Sequence, residues 1–331
     1  MKTVLKILKW LGILIAVVLI VFVVFVYSNA DRYYDAPYPD IKASADSATL
    51  ARGKYLVYGP AHCAHCHAPV SAIARVETGE EVPLSGGSIF ELPVGKVYTP
   101  NISPDPETGI GLYSDEEIAR ALRYGVKKDG HALLDFMPFY DLSDRDLTAI
   151  ITFLRATQPV KNKVQPNSWN FLGKMVSALE LIKPMGDGDV PPAPPIDSTA
   201  EYGKYLTTSV ANCKGCHTKR DLMTGGWIGP EFAGQFEMEM IDAQGRIIKG
   251  QHLVSQNLTP DPETGRITNW TKETFIKRFR EGRIIPGSPM PWGPFSRMSD
   301  LELTAIYKFL KTLKPVHSDT PVGIQKGDPQ G

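Results

Sequence analysis

Two pentapeptides in this chain carry residues suited to covalent cofactor chemistry: Cys63-Ala64-His65-Cys66-His67 and Cys213-Lys214-Gly215-Cys216-His217. Cys-x-x-Cys-His is the spacing that attaches a c-type haem. The two thiols form thioethers with the two vinyl groups of one porphyrin, and the histidine that follows is placed under the iron as proximal ligand. A Cys-x-x-Cys pair alone would also suit a redox dithiol or half of a zinc site. Neither requires a histidine directly after the second cysteine, and here one stands there both times. The chain has four cysteines, and the motifs use all of them. None is left for a disulfide, a four-cysteine zinc site or a thiolate nucleophile. Two covalently attached haem c groups are therefore expected, held by Cys63, Cys66 and His67 and by Cys213, Cys216 and His217.

A haem iron with a proximal histidine has one further axial position. Methionine there gives a stable low-spin site and raises the potential. Met137-Pro138 and Met290-Pro291 follow His67 and His217 by 70 and 73 residues and precede the Ser-Asp pairs at 143 and 299. Methionine is also a filler of core gaps. That suffices for Met298, and Met175, Met223, Met238 and Met240 have no counterpart in the other half. Recurrence at matching places marks Met137 and Met290 as the expected ligands, so the metal set is His67, Met137, His217 and Met290, with no catalytic residue. His131 is the rival for the first iron, but no histidine stands at the equivalent place near Ile284–Ile285. His62 and His65 are expected at the solvent edge of the first haem. His252 and His317 are expected at the surface or in a supporting role.

The elements that position these residues are repeated. A shift of 150 brings Gly53-Lys54-Tyr55-Leu56 onto Gly203-Lys204-Tyr205-Leu206. Beyond the motifs a shift of 156 superposes Asn101-Ile102-Ser103-Pro104-Asp105-Pro106-Glu107-Thr108-Gly109 on Asn257-Leu258-Thr259-Pro260-Asp261-Pro262-Glu263-Thr264-Gly265. A period this long means a duplicated domain, not a solenoid. The nine-residue segment reads as a turn, because Asn, Pro, Asp and Gly favour turns; its asparagine amides could also reach haem propionates or brace the methionine loop. Helices are expected from Leu50 to Tyr58 and from Ala200 to Thr208. Ser114 and Glu117 form a capping-box pattern, and Phe275 and Phe279 share a helix face. The last helices start near Ser143 and Ser299. Their apolar stripes are Leu147, Ile150, Ile151 and Leu154, and Leu303, Ile306, Tyr307 and Leu310, at i, i+3, i+4, i+7 spacing. A small hairpin is expected around 236–250.

The expected class is all-α: an N-terminal transmembrane helix followed by two tandem helical haem domains. The divisions are a membrane anchor over 1–30, a first domain over 31–160, a linker over 161–197 and a second domain over 198–331. In the linker a short amphipathic helix is expected over Ser168–Ile182, followed by a semi-rigid Pro191-Pro192-Ala193-Pro194-Pro195 spacer. Lys2, Lys6 and Lys9 precede Trp10 and the uncharged run Leu11–Val26; counted from Ile7 to Tyr27, with Lys9 snorkelling, the segment makes about 31 Å of helix, the thickness of a bilayer core. The lysines place the N-terminus in the cytoplasm and the rest outside. A cleaved signal peptide is the alternative, although the run is longer than a usual signal core. Charge sums to zero, which argues against nucleic-acid binding. It is unevenly spread: 31–160 carries 12 Lys/Arg against 18 Asp/Glu, and 198–331 carries 17 against 14.

Cys-x-x-Cys-His, then Gly86-Gly87 or Gly225-Gly226, then the Asn-x-[Ser/Thr]-Pro-Asp loop, then Met-Pro before the last helix resemble the membrane-anchored multihaem cytochrome c subunits of bacterial alcohol, gluconate and related dehydrogenases. The resemblance spans about 48–160 and 198–317. It implies a cytochrome c fold in each copy and electron transfer in the periplasm, from a dehydrogenase toward the respiratory chain. Those subunits commonly carry three haems, whereas this chain has motifs for two, and its anchor is N-terminal. The competing class is a di-haem peroxidase-like enzyme. That chemistry needs an open or displaceable sixth site, and Met-Pro is kept in both copies.

Overall fold

The computed structural model describes residues 1–134, 137–184, 186–188, 190–221, 226–242 and 247–329. In chain order, α1 (Lys2–Asn29) is the long apolar helix, followed by α2 (Ser47–Tyr58), α3 (Cys63–His67), α4 (Ile73–Glu77), β1 (Ile89–Leu92), β2 (Gly95–Tyr98), α5 (Asp115–Tyr124) and α6 (Asp144–Ala156). Then come β3 (Ser168–Trp169), α7 (Phe171–Ala178), α8 (Ala200–Tyr205), α9 (Cys213–Cys216), β4 (Glu237–Ile241), β5 (Ile247–Val254), α10 (Lys272–Arg280), α11 (Trp292–Ser296), α12 (Asp300–Thr312) and β6 (Gln325–Lys326).

Side-chain caps set the helix starts. Ser114 and Glu117 close a reciprocal capping box at α5, and Ser143 and Ser299 accept from Asp146 N and Glu302 N at the starts of α6 and α12. Each cap satisfies amide donors that the first turn would leave without a partner. The apolar stripes are buried as expected: Leu147, Ile150, Ile151 and Leu154 on α6, and Leu303, Ile306 and Leu310 on α12, with Tyr307 half-buried.

Each copy is centred on one close helix pair, α2 on α6 and α8 on α12. Glycine makes both crossings possible. A Cβ at Gly53 would lie 1.8 Å from the Ala149 carbonyl oxygen, and one at Gly203 would lie 2.0 Å from that of Ala305. Backbone fills the space, so no side-chain rotation relieves the clash. Gly53→Ala is therefore expected to force α2 from α6 and to cost about 1–3 kcal/mol or more, read as a lower thermal midpoint of the holoprotein.

The all-α expectation needs correcting, because the chain is helix-rich but also builds two small antiparallel sheets. One has strand order β1-β2-β3 and the other β4-β5-β6. The hairpin expected around 236–250 is β4 and β5, its Met240 paired with Ile248; residues 243–246 of its turn lie outside the described residues. The strands of the first sheet and β6 are too short for an alternating pattern to show in the sequence.

The segment expected to link the copies is held against the first one. Asn162 Nδ2 donates to Ser85 O (2.8 Å), and Asn167 Oδ1 accepts from Tyr98 N (2.9 Å). Ser168 and Trp169 then add β3 to β2, as Gln325 and Lys326 add β6 to β5. In place of one helix over 168–182 there is a strand and the shorter α7, capped by Asn170.

The two copies meet through reciprocal contacts. The Tyr205 hydroxyl lies 2.9 Å from Ser143 Oγ and 3.0 Å from Asp146 Oδ2. Its counterpart Tyr55 accepts from Ser299 N at 2.9 Å and donates to Glu302. Each copy thus covers the N-terminus of the other's last helix. Arg52 and Tyr202, also equivalent positions, meet at 3.2 Å between them. Arg52 donates to Asp146 (3.1 and 3.0 Å) and to Glu302 (3.2 Å), and Tyr202 donates to Glu302 (2.9 Å). Asp146 and Glu302 are 0% and 1% exposed, so Arg52 is what makes their burial tolerable.

Candidate haem-binding sites

The two Cys-x-x-Cys-His segments are single helical turns, α3 and α9 with its following residue. Each is entered through a left-handed residue, His62 (φ 42°) and Asn212 (φ 49°). That sharp entry turns the chain directly into the cysteine-bearing turn. None of the four cysteines is disulfide-bonded. Burial pushes the thiols of Cys63 and Cys213 up to about 12 and that of Cys66 up to about 11. A redox dithiol requires the opposite, a lowered thiol. Among the described residues no group of three His, Cys, Asp or Glu side chains could hold a metal ion, so the zinc alternative finds no further ligands.

The histidines are held in the same way in both copies. His67 Nδ1 lies 2.9 Å from the Pro100 carbonyl oxygen, and His217 Nδ1 lies 2.8 Å from that of Gln256. A carbonyl only accepts, so Nδ1 carries the proton and Nε2 presents its lone pair. Burial lowers both imidazoles, against the opposing pull of those carbonyls, and favours the neutral form that ligates iron. An Nδ1–H held by backbone and a free Nε2 beside two unpaired thiols fit a c-type haem.

Pro100 and Gln256 immediately precede the repeated Asn-x-[Ser/Thr]-Pro loop, and this explains the loop. Asn101 Nδ2 donates to Thr108 Oγ1 (3.1 Å) and Val160 O (2.7 Å), while its Oδ1 accepts from Ser103 N and Oγ. Asn257 makes the same bonds to Thr264 Oγ1 (3.0 Å), Val316 O (2.9 Å) and Thr259. Both amide hydrogens of each asparagine are therefore used within the protein. The turn expectation stands, and the possibility that these amides reach propionates falls away. The loop is tied to the chain just after the last helix, and that fixes the carbonyl facing the histidine.

A glycine completes each support. Gly86 N donates to His67 O (2.7 Å), and Gly234 N donates to His217 O (2.8 Å). They have φ of 71° and 76°. A Cβ at Gly86 would lie 2.5 Å from Pro100 backbone, and one at Gly234 would lie 2.7 Å from Gln256 C. The counterpart of Gly86 is thus Gly234. Gly225, expected in that role, lies outside the described residues. Sequence reading missed Pro100, Gln256 and Gly234; only the positions next to the repeated asparagines could have signalled the first two.

Met137 and Met290 are half-buried and pack against the same apolar core as Cys63 and Cys213. The rival His131 is engaged elsewhere: its Nε2 lies 2.6 Å from Asp31 Oδ1, and its ring lies 4.5 Å from that of Tyr33. His65 and His62 do not simply face solvent. His65 Nδ1 lies 3.4 Å from Glu77, which pairs with Arg283 of the second copy at 2.9 Å. The His62 ring stands edge-on to Phe295 of the second copy, with centroids 5.4 Å apart. His252 is buried on β5 with Nδ1 2.9 Å from Gly327 O, and His317 stays exposed beside Asp261.

Comparison with known proteins agrees with this chemistry. The chain is 30% identical over 292 residues to the cytochrome c subunit of the quinone alcohol dehydrogenase of Gluconacetobacter polyoxogenes, covering 82% of this chain and 57% of that subunit. It is 29% identical over 285 residues to the gluconate 2-dehydrogenase cytochrome c subunit of Pantoea cypripedii, covering 81% of this chain and 60% of that one. A diheme cytochrome c-type protein of Cereibacter sphaeroides is 27% identical over 169 residues, covering 48% of this chain and 54% of that protein. No family model matches. The chain spans less than two thirds of the length of these relatives. The resemblance read from the motifs is borne out: relatives matched over about four fifths of the chain are cytochrome c subunits of dehydrogenases.

Proposed function

We propose that the chain is a di-haem c-type cytochrome that carries electrons from a dehydrogenase toward the respiratory chain and has no substrate of its own. One observation carries this reading. The same support is built twice, a Cys-x-x-Cys-His turn whose histidine is tied through Nδ1 to the residue before an asparagine-locked loop. Cys63, Cys66 and His67 would hold one haem and Cys213, Cys216 and His217 the other, with Met137 and Met290 as sixth ligands. Bound haem supplies reversible one-electron exchange; the chain's residues anchor it, fix the imidazole tautomer and fill the axial position. A filled axial position leaves no site for peroxide, which separates this reading from the peroxidase-like one. Kinship with cytochrome c subunits supports haem c and a dehydrogenase as partner.

The proposed organisation is an anchor at 1–30 followed by tandem cytochrome c domains. Helix α1, which among the described residues is the one helix long and apolar enough to cross a membrane, would hold them at the outer face of the inner membrane, in the periplasm, with Lys2, Lys6 and Lys9 inside. Acid–acetone extraction of the purified protein is expected to leave colour on the polypeptide, with an intact mass above the apo mass by two haems. A mass showing one haem or none overturns the di-haem reading.

A further inference from the structure

We infer that the Phe171 end of α7 is seated in the headgroup region of the bilayer, so that the first copy rests on the membrane rather than hanging from a free tether. The inference depends on α1 being a membrane anchor, as proposed above.

The outer end of α1 is packed, not loose. Its one buried residue is Val26, and its partner element is α7. The Tyr27 and Phe171 rings lie 6.3 Å apart, and Lys174 Nζ lies 4.4 Å from the Tyr27 ring centroid. Ser177 Oγ donates to Ala30 O at 2.7 Å. Beyond the helix, Arg32 bonds Ala178 O (3.0 Å) and Tyr34 bonds Ile182 O (3.0 Å). Contacts thus climb α7 as the chain leaves α1. Phe171 lies level with Tyr27, and the other end of α7 lies farther out.

The level of Tyr27 follows from length. The run from Ile7 to Tyr27 matches the apolar thickness of a bilayer, which puts Tyr27 at the boundary where aromatic side chains collect. Phe171 must share that depth. It is 43% exposed, and water would be a poor environment for its ring, whereas the boundary suits it. Lys174, beside Tyr27, is placed to reach lipid phosphates while its stem stays among apolar groups.

The seat is stiff. Asn170 Nδ2 donates to Pro93 O (2.7 Å), and its Oδ1 accepts from Gly173 N (3.0 Å). A Cβ at Gly173 would lie 2.2 Å from Val94 O. The β1–β2 turn is therefore fastened to the lower end of α7, and the orientation of α1 is passed to the sheet and through it to the first copy.

The test uses the full chain in phospholipid nanodiscs. The photo-crosslinker p-benzoylphenylalanine is placed at Phe171 and, separately, at Phe22 inside the span, and each holoprotein is checked by its visible spectrum. After irradiation, lipid adducts are expected at both positions by mass spectrometry. Adducts at Phe22 with none at Phe171, or adducts at Phe171 to protein alone, overturn the seating while leaving the anchor intact. Absence of lipid adducts at Phe22 overturns the anchor reading, and the seating with it.

Discussion

Arg52→Ala is expected to destabilise the holoprotein by about 3–5 kcal/mol, the cost of breaking a buried ion pair by removing one partner. Asp146 and Glu302 stay buried and lose their shared counter-charge. The effect should appear in denaturant unfolding followed by haem absorbance. A control at the exposed Arg75–Glu80 pair should change stability by less than about 1 kcal/mol. Burial favours the protonated form of Asp146, yet the hydrogen bond and charge of Arg52, helped by Arg145, hold its carboxyl below the ordinary value. A depressed carboxyl contributes fully above its unfolded pKa of about 3.9, and that contribution is lost as pH falls through the lower folded value. Burial raises Tyr55, Tyr202 and Tyr205, so their contribution is complete below about pH 10 and lost above it. Native stability should therefore fall at both extremes. In Arg52→Ala only Arg145 still opposes the effect of burial on Asp146, and the penalty should shrink on acidification toward pH 4. A penalty independent of pH would show that the pair is not what the substitution broke.

Met137→Ala and Met290→Ala are each expected to open one axial position. The wild-type protein should bind no CO when reduced; each variant should bind one CO per chain, and the double variant two. The affected haem should lose its weak far-red sulfur-to-iron band, and its potential should fall. Both methionines are only partly buried, so loss of fold should be a small part of the outcome. An oxidised spectrum unchanged in both variants would remove these residues from the ligand set. The two sites should differ in reach. Met290 leads into α11, whose Phe295 meets His62 in the first copy. Its loss should disturb the first haem's spectrum more than loss of Met137 disturbs the second's.

Residue type and local spacing were legible in the sequence. Cys-x-x-Cys-His, the serine caps at Ser143 and Ser299, the stripes on α6 and α12 and the apolar run of α1 all act within a few residues. The turn-forming residues that follow Asn101 and Asn257 also marked those two segments as turns. Tertiary structure decided what depends on groups far apart in the chain. Pro100 and Gln256 reach their histidines through a backbone carbonyl, which any residue type supplies, so their identity carries no signal. Gly234 takes the place of Gly86 at an offset that a search for paired glycines does not find. The Arg52–Asp146–Glu302 cluster joins residues up to 250 positions apart. Its members are equivalent yet unlike: Arg52 corresponds to Tyr202 and Asp146 to Glu302. One guanidinium serves two carboxylates at the contact between the copies, and the Tyr202 hydroxyl stands where the repeat would place a second arginine. The duplication fixed the parts, and the packing of one copy on the other fixed how those parts are shared.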